Sequence, residues 1–394
     1  MKRYLLIHYG ELGLKKANKP YFVEKLRKAV RVRLEKRFSI NFRVKHVLSR
    51  FMVLLPDGFI ESEYVEVLGK IAGIKNFSFV FESGIELADL GSKIWNTINT
   101  DEVDLTGLDT FRVRVKRSMI LPYKSIEAER EIGAILLRNG LDLKVKLKGS
   151  DFFVDIEFFN EHGYFSFKRY PGLAGMPPNS QSKLVSLISS GIDSPVASFM
   201  MMRRGARVIF VHCHGYPFTD KSELEQVKEI VEILSAYQFD TKLYLVPFGQ
   251  LQKVIATTLD VPAKMRTVLY RRAMLRVAEK ISKKDTAKGL ITGDCFGQVA
   301  SQTPENIFAV HDASSIPLLQ PLIAFDKEDV IKLAEKIGTF EISKQPCKDS
   351  CTMFMPRRPE LKANVFDTQK YEELYPLDDL VDKVIEESEV IYFD

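Results

Sequence analysis

Short apolar segments alternate with amphipathic ones along the second half of the chain, and this alternation constrains the fold most strongly. Residues 184–188, 208–211 and 241–246 are mostly apolar, whereas residues 194–204 and 222–237 carry apolar side chains at helical spacing. A strand that is apolar on both faces must be covered on both, which is typical of a parallel sheet between two layers of helices. The pattern therefore predicts an α/β domain whose ligands bind beyond the carboxyl ends of its strands.

The first half of the chain is predicted to form smaller α+β units. Phe22, Leu26, Val30 and Leu34 share one face of a predicted helix over residues 21–37. The other predicted elements are strands over residues 4–9, 42–48, 51–55, 111–117 and 141–148, and a helix over residues 62–72. The order of elements in the first unit is typical of a ferredoxin-like fold.

The length of the chain supports a division into several domains. A chain of 394 residues exceeds what one hydrophobic core usually organises, and 45% hydrophobic and 28% charged residues are typical of globular proteins. Residues 170–180 are rich in Pro and Gly and are predicted to be a linker. The expected domains are a ferredoxin-like domain at residues 1–59, a second α+β domain at residues 60–172 and the α/β domain at residues 173–394.

Targeting signals and cysteine content both indicate an intracellular protein. No apolar run approaches the roughly 20 residues that cross a bilayer, and the first residues resemble a strand rather than a signal peptide. We therefore expect a cytoplasmic protein without a membrane anchor. The four cysteines, Cys213, Cys295, Cys347 and Cys351, are too few for a disulfide framework in a chain of this length, so each is a buried small side chain or a reactive thiol.

Positive charge is concentrated near the start of the chain. Residues 1–60 carry 15 Lys and Arg against four acidic residues, whereas residues 360–394 carry three Lys against 11 acidic residues. The acidic C-terminal stretch is predicted to be a helix with a charged outer face, and a short unfolded tail is the alternative. Two alternating segments place cations on their polar face, at Arg112, Arg114, Lys116, Lys144 and Lys146. Such a surface favours contact with nucleic-acid phosphates, because counterion release drives binding to a polyanion. The alternative is a solvated sheet face.

The turn Ser189-Ser190-Gly191-Ile192-Asp193-Ser194 lies between the first predicted strand and the first predicted helix of the α/β domain. Small residues let the backbone approach a ligand, and a helix N-terminus offers N–H groups to phosphates, so the turn is predicted to bind an anion. It is not a Walker A loop, because no Gly-Lys-Ser/Thr follows at the required spacing. The alternative is a serine-rich turn whose hydroxyls only cap the helix.

This turn resembles the Ser-Gly-Gly-x-Asp-Ser signature of the PP-loop enzymes, which split ATP between its α and β phosphates. Ser190 stands where that family has its first glycine, so a positive φ at this position would strain the chain. Further segments resemble the 4-thiouridine synthetases (tRNA sulfurtransferases, ThiI family) among the PP-loop enzymes. These segments are residues 9–15, 189–197, 271–275, 292–303, 321–323, 326–328, 337–339 and 349–354. The run Gly-Gln-Val-Ala-Ser-Gln-Thr at residues 297–303 is the most specific of them.

The resemblance implies a ferredoxin-like domain, a THUMP RNA-binding domain and a PP-loop ATP pyrophosphatase domain with a parallel sheet, in that order. It implies an enzyme that adenylates the 4-oxygen of the uridine at position 8 of tRNA and then replaces AMP with sulfur from a cysteine persulfide. The implied cofactors are ATP and Mg²⁺, and the implied partners are tRNA and a cysteine desulfurase. A homodimer and a link to the thiazole of thiamine are further expectations.

Matched position by position, the resemblance implies ATP contacts on the turn and at the ends of strands. These positions are Leu187, Ile188, Ser189, Ser190, Gly191, Asp193, Ser194, His212, Cys213, Arg271, Gly293 and Gln302. Asp193 is expected on the side of Mg²⁺ and pyrophosphate. For Arg271 an alternative remains, since several cations on the same predicted helix form a stripe that is either solvated or faces tRNA phosphates.

Cys351 matches the catalytic cysteine of the family, and flanking Lys and Arg residues favour its thiolate. Three roles remain open for Cys347: a resolving thiol that forms a disulfide with Cys351, a ligand of an iron–sulfur cluster, and an inert packed side chain. Many relatives carry a C-terminal rhodanese domain, and this chain is expected to lack one. His212-Cys213-His214 does not indicate a metal site, because three ligands on a strand do not converge.

Two other functions remain open on the residues alone. One is another PP-loop ligase, in which nitrogen attacks the adenylate, although no glutaminase segment that would supply ammonia is evident. The other is a non-catalytic tRNA-binding protein with a decayed nucleotide site. The presence of Asp193, Arg271, Gln302 and Cys351 favours an active enzyme.

Overall fold

The computed structural model describes residues 2–100, 103–219, 221–346, 354, 356 and 358–393. The chain forms two compact units, Met1–Gly175 and Met176–Asp394. Within the described ranges, no helix combines the length and the apolar character needed to span a membrane.

The described part of the first unit contains nine strands and four helices. Its strands are β1 (Arg3–Tyr9), β2 (Lys45–Val47), β3 (Arg50–Leu54), β4 (Ile74–Ser83), β5 (Thr110–Arg117), β6 (Lys144–Val145), β7 (Phe152–Phe159), β8 (His162–Ser166) and β9 (Tyr170–Pro171). Its helices are α1 (Lys19–Phe38), α2 (Glu61–Gly69), α3 (Leu87–Ile98) and α4 (Ser125–Arg138).

Helix α1 forms as its apolar spacing predicts. Pro20 lies in its first turn, where a missing N–H group breaks no helical hydrogen bond. Ser39 ends the helix in a left-handed conformation with a φ of 55°, and its N–H donates to Glu35 O at 2.9 Å. All four side chains of the predicted apolar stripe are buried, so the helix buries its periodic apolar face, as expected for an amphipathic helix.

All strands of the first unit belong to one sheet. Their order is β2-β3-β1-β4-β8-β7-β5-β6, and β9 also pairs with β4. Strand β4 pairs along one edge with β1 and along the other with β8 and β9, always antiparallel. Strand β5 runs parallel to both β6 and β7. Strand β4 therefore joins the strands that precede it and those that follow it in one shared ladder of backbone hydrogen bonds.

The described part of the second unit contains six strands and nine helices. Its strands are β10 (Lys183–Leu187), β11 (Arg207–His214), β12 (Thr241–Pro247), β13 (Leu290–Ile291), β14 (Leu318–Leu319) and β15 (Glu389–Phe393). Its helices are α5 (Asp193–Arg203), α6 (Ser222–Ser235), α7 (Gly249–Thr257), α8 (Arg266–Lys284), α9 (Pro304–His311), α10 (Lys327–Ile337), α11 (Phe340–Ser343), α12 (Val365–Glu372) and α13 (Leu377–Glu386).

The second sheet is parallel over five of its strands, as the apolar segments predict. Its order is β14-β13-β10-β11-β12-β15, and only β15 runs antiparallel to its neighbour. The chain moves outward from β10 through β11 and β12, and then crosses to the other side of β10 for β13 and β14. A crevice forms beyond the carboxyl ends of the strands where the order reverses. In this sheet the reversal lies at β10.

Two segments differ from the sequence prediction. The acidic C-terminus, expected to be a helix with a charged outer face, forms α12 and α13 and then the strand β15, which pairs with β12. Of the alternating residues 141–148, only Lys144–Val145 form a strand, and Val145 and Leu147 are exposed. Strand β6 is the last strand in the order of its sheet, so it has a single neighbour, β5, with which only two of its residues pair.

Candidate active site

A cavity of about 360 Å³ lies at the predicted crevice, between the carboxyl ends of β10, β11 and β13 and one face of α8. The structure brings almost all of the predicted nucleotide contacts to its walls. These residues are Leu187, Ile188, Ser189, Gly191, Asp193, Ser194, His212, Cys213, Arg271, Gly293 and Gln302. Ser190 is the one predicted position that does not line the cavity.

The turn between β10 and α5 is closed by its own serines. Ser189 N donates to Ser194 Oγ at 2.9 Å, and the two hydroxyl oxygens lie 3.1 Å apart. Gly191 N donates to Ser189 Oγ at 3.3 Å. The N-cap residue of α5, Ile192, offers no side-chain acceptor to the first turn. The hydroxyls thus hold the turn in shape. The first turn of α5, whose N–H groups have no partner within the helix, forms part of the cavity wall through Asp193 and Ser194.

Serine fits the position that is glycine in the family signature. Ser190 is buried and does not have a positive φ, and neither does Gly191. The strain that a positive φ would impose on a serine is therefore absent at this position.

Gly293 brings the end of β13 against the same turn. A Cβ atom at this position would lie 2.7 Å from Ser194 N and 2.9 Å from the carbonyl carbon of Asp193. Both contacts are with backbone atoms, which cannot move without displacing the start of α5. Only glycine therefore permits this close approach of the two segments.

One cation and one side-chain amide contact the Asp193 carboxylate. Lys327 Nζ lies 2.6 Å from Oδ1, and Gln298 Nε2 donates to Oδ2 at 3.2 Å. Sequence reasoning assigned no role to Lys327 or Gln298. The signal was their position in two segments that resemble the family, residues 292–303 and 326–328.

Asp294 is the centre of a buried polar network beside the cavity. Its carboxylate accepts hydrogen bonds from Arg271 Nη2, from Thr292 Oγ1 at 2.7 Å, from Gln320 Nε2 at 3.0 Å and from Gln302 Nε2 at 3.4 Å. Burial alone would raise the pKa of Asp294, but the Arg271 guanidinium and the neighbouring donors hold this pKa below its usual value. Asp294 therefore remains ionised, and it orients two of the predicted nucleotide contacts, Arg271 and Gln302. Asp294 lies in a segment that resembles the family, but it was not among the predicted site residues.

His212 and Glu223 also line the cavity, beside the last residues of β10 and β11. His212 Nδ1 lies 3.0 Å from Ile188 O, and His212 Nε2 lies 3.7 Å from Glu223 Oε1, with both side chains buried. Burial, aided by Glu223, raises the pKa of Cys213 to about 12. Burial and the neighbouring His212 lower the pKa of His214 to about 4. Cys213 is thus an unreactive thiol, and Glu223 is a cavity residue that sequence reasoning missed.

The remaining cysteines fall into two groups. Cys295 is buried, and burial raises its pKa, so it is not poised as a nucleophile. Cys347 and Cys351 lie outside the described residues. The chain that leads to them leaves from beside the turn, because Ser343 Oγ donates to Gly191 O at 3.3 Å. Across the described ranges, no group of three His, Cys, Asp or Glu residues could hold a metal ion.

The predicted RNA contacts lie on β5, on β6 and on the residue that follows β6. Arg114 is paired with Asp155 through two hydrogen bonds of 2.5 and 2.6 Å, and Arg112 Nη1 donates to Leu147 O at 2.8 Å. Lys116, Lys144 and Lys146 are exposed. Neighbouring strand β7 therefore neutralises one of the five cations, and the three lysines remain on the surface.

Comparisons with known proteins match this arrangement. The ThiI family, described as thiamine biosynthesis protein, matches residues 179–377. The ThiI ferredoxin-like domain matches residues 4–78, and the THUMP domain matches residues 92–168. The predicted fold class, with a ferredoxin-like domain and a THUMP domain before a PP-loop domain, is confirmed.

Curated relatives cover the chain from end to end. A probable tRNA sulfurtransferase of Acetivibrio thermocellus is 34% identical over 99% of this chain and 99% of the relative. A protein of the same name from Thermus thermophilus is 33% identical over 100% of this chain and 95% of the relative.

Solved structures share the same fold. The structure of a 4-thiouridine synthetase in complex with RNA, with bound ATP, aligns with a TM-score of 0.89 at 30% identity and covers 100% of both chains. PH1313 from Pyrococcus horikoshii aligns with a TM-score of 0.66 at 21% identity, over 86% of this chain and 100% of that one, which shows a common fold.

Proposed function

Because this chain belongs to the ThiI family, we propose that it is an ATP-dependent tRNA sulfurtransferase that makes 4-thiouridine at position 8 of tRNA. The observation that carries the proposal is the cavity at β10, where the serine turn, Arg271, Gly293 and Gln302 meet. The solved 4-thiouridine synthetase bound to RNA and ATP supports the same substrates. We further propose the domain boundaries at residues 59/60 and 172/173.

ATP fits the cavity with its phosphates at the turn. The N-terminus of α5 attracts negative charge, and Lys327 and Arg271 add two cations near it. The base and ribose then lie towards His212 and the end of β11. Gln302 Oε1 is buried and accepts no hydrogen bond from any described residue, so it is suited to a donor of the nucleotide.

The first chemical step forms an adenylate. The 4-oxygen of uridine attacks the α-phosphate, the bond between the α and β phosphates breaks, and pyrophosphate leaves. Negative charge that develops on the phosphates faces the helix N-terminus and the two cations, which are positioned before the reaction starts. Asp193 would help to hold Mg²⁺, since this ion commonly uses one carboxylate together with substrate oxygens, and the ion would stabilise the negative charge of the leaving pyrophosphate.

The second step needs a cysteine that carries sulfur. Cys213 and Cys295 are both buried with raised pKa values, which leaves Cys347 and Cys351 for this role. Because Cys351 matches the catalytic cysteine of the family, we assign the sulfur to Cys351 and propose Cys347 as its resolving partner. The terminal sulfur of a Cys351 persulfide attacks C4 of the base, and AMP leaves. Cys347 then attacks the Cys351 sulfur of the mixed disulfide, which releases 4-thiouridine and leaves a Cys347–Cys351 disulfide for an external thiol to reduce.

The start of the cysteine segment lies within reach of the turn. Ser343 contacts Gly191, and Cys347 follows four residues later, which an extended chain spans in about 14 Å. A cysteine desulfurase is the proposed source of the persulfide. We also propose that exposed Lys116, Lys144 and Lys146 contact tRNA phosphates, that the enzyme acts in the cytoplasm as a homodimer, and that it also serves thiamine synthesis.

The test is a complete thiolation reaction. The protein is incubated with unmodified tRNA, Mg-ATP, cysteine and a cysteine desulfurase, and AMP release and the near-ultraviolet absorbance of thiouridine are measured. Formation of both products is expected. Cys351→Ser should abolish thiouridine while adenylation, followed as pyrophosphate release, stays measurable. The neighbouring Ser350→Ala, which removes no thiol, should leave both unchanged.

The same reaction separates the alternative functions. AMP release without thiouridine in the unaltered protein would indicate another adenylating ligase. RNA binding without AMP release would indicate a binding protein, and full thiouridine formation by Cys351→Ser would contradict the assignment of the sulfur carrier.

A further inference from the structure

Two exposed phenylalanines border a shallow depression next to the cavity. Phe296 is 62% exposed and Phe325 is 38% exposed. Both line the depression, together with Ile323, Ala324 and Asp326. Single exposed apolar side chains are ordinary on protein surfaces, so the exposure alone has no functional meaning. The position of this pair beside the cavity, however, indicates a function.

The two segments that form the depression both contact the carboxylate of Asp193. Gln298, two residues after Phe296, donates to one oxygen of that carboxylate at 3.2 Å. Lys327, two residues after Phe325, lies 2.6 Å from the other oxygen. Phe296 N also donates to Ile323 O at 3.0 Å, which joins the two walls to each other. The depression therefore adjoins the part of the cavity wall that Asp193 forms, where we place the phosphates of ATP.

The proposed reaction places a geometric demand on this end of the cavity. The 4-oxygen of the uracil ring must reach the α-phosphate, so the base has to enter beside the turn and be held there out of its own stack. Enzymes that modify bases hold the displaced base against apolar or aromatic side chains. Aromatic rings are the usual partners of unstacked RNA bases.

We propose that Phe296 and Phe325 form a stacking platform that receives the pyrimidine base of the RNA substrate beside Asp193. This inference rests on the proposed function and names the binding site of its nucleic-acid substrate. The platform would hold the ring by its face, and the turn and Lys327 would then meet the edge that carries the 4-oxygen. Most of the affinity for RNA comes from contacts with its phosphates, so the platform would govern base positioning rather than overall RNA affinity.

The test compares Phe296→Ala, Phe325→Ala and their double variant with the unaltered protein. The measurements are kcat/KM for thiolation of tRNA, the dissociation constants of ATP and of tRNA, and the unfolding temperature. Each single variant should lower kcat/KM for tRNA roughly tenfold and the double variant up to about a hundredfold, as expected for loss of base stacking. The affinity for ATP and the unfolding temperature should stay unchanged.

Two further variants distinguish stacking from a structural role. Phe296→Tyr keeps an aromatic face and should restore kcat/KM to near the unaltered value. Phe308→Ala removes a phenylalanine on α9 that is 71% exposed and does not line the depression, and it should change nothing.

The outcomes separate this inference from the function on which it rests. A double variant that thiolates tRNA with unchanged kcat/KM, or a loss that the tyrosine does not restore, would overturn the platform alone. Absence of thiouridine with the unaltered protein would instead refute the proposed function.

Discussion

Replacing Asp294 with asparagine tests whether this buried carboxylate organises the nucleotide site. The substitution keeps the shape of the side chain, removes its charge and turns one acceptor into a donor that faces other donors. Four groups donate to Asp294, of which Arg271 is charged. Breaking a fully buried ion pair costs about 3–5 kcal/mol. The Asp294 side chain is 6% exposed but that of Arg271 is 21% exposed, so solvent offsets part of this cost and we expect a loss of about 2–4 kcal/mol.

This loss predicts both thermal and kinetic effects. For a unit of this size each kcal/mol lowers the unfolding temperature by about 2–4 °C, so the variant should unfold roughly 5–15 °C earlier. Arg271 would keep its hydrogen bond to Ser301 O at 2.9 Å but lose the contact that fixes its other nitrogen. A misplaced guanidinium should lower kcat/KM for ATP by roughly ten- to a hundredfold.

A double-mutant cycle measures the interaction itself. Unfolding free energies are determined for Asp294→Asn, for Arg271→Gln and for the two combined, and the double variant should lose less stability than the sum, by about 2 kcal/mol. Asp329→Asn, on the exposed side of α10, serves as the control and should leave stability and activity unchanged. Strict additivity, or a variant at Asp294 that unfolds at the temperature of the unaltered protein, would refute the role we assign to this network.

Three further predictions concern the same unit. Gly293→Ala places a Cβ 2.7 Å from a backbone nitrogen and should reduce ATP affinity at least about tenfold in a calorimetric titration. Gly133→Ala is the control, because a Cβ there meets no neighbouring segment within 4 Å, and it should leave ATP affinity unchanged. Equal effects of the two substitutions would contradict the close-approach argument. The folded-state pKa of His214, about 4, lies below the unfolded value of about 6.5, so stability is lost as pH falls between these values. Between pH 7 and pH 5, the unfolding free energy of the unaltered protein should drop by about 2 kcal/mol more than that of His214→Gln. An identical pH dependence of the two proteins would contradict a lowered pKa of His214. Lys327→Met removes the cation beside Asp193 and should lower kcat for AMP release roughly a hundredfold without changing tRNA affinity; a normal rate would exclude Lys327 from the phosphate site.

Local periodicity explains which parts of the fold the sequence could predict. The buried stripe of α1 and the apolar segments of β10 and β11 are burial patterns that repeat within a few residues, so they are visible before any tertiary contact is known. Strand β15 was missed because its strand character depends on pairing with β12, where Thr241 lies opposite Phe393. No local pattern encodes a partner that distant.

The residues of the site can be divided in the same way, into those that local sequence patterns predict and those that they do not. The turn at residues 189–194 and the residues that end β10 and β11 follow from strand–helix order and from the family signature, and they do line one cavity. Asp294, Glu223 and Lys327 are single polar residues among many in the sequence. Their roles follow only from their contacts in the folded chain. Lys327 contacts Asp193 across 134 residues of sequence, a relation that only the folded chain reveals.

The shared ladder of the first unit has a consequence for synthesis on the ribosome. Strand β4 can pair with β1 soon after it emerges, but its second edge waits for β8, which begins at His162. The intervening stretch of about 80 residues takes roughly 4–16 s to translate. During this interval a ten-residue strand presents an unprotected edge, the kind of surface that recruits other chains. Chaperone demand should therefore peak midway through translation of this unit and fall once residues 162–171 have left the exit tunnel.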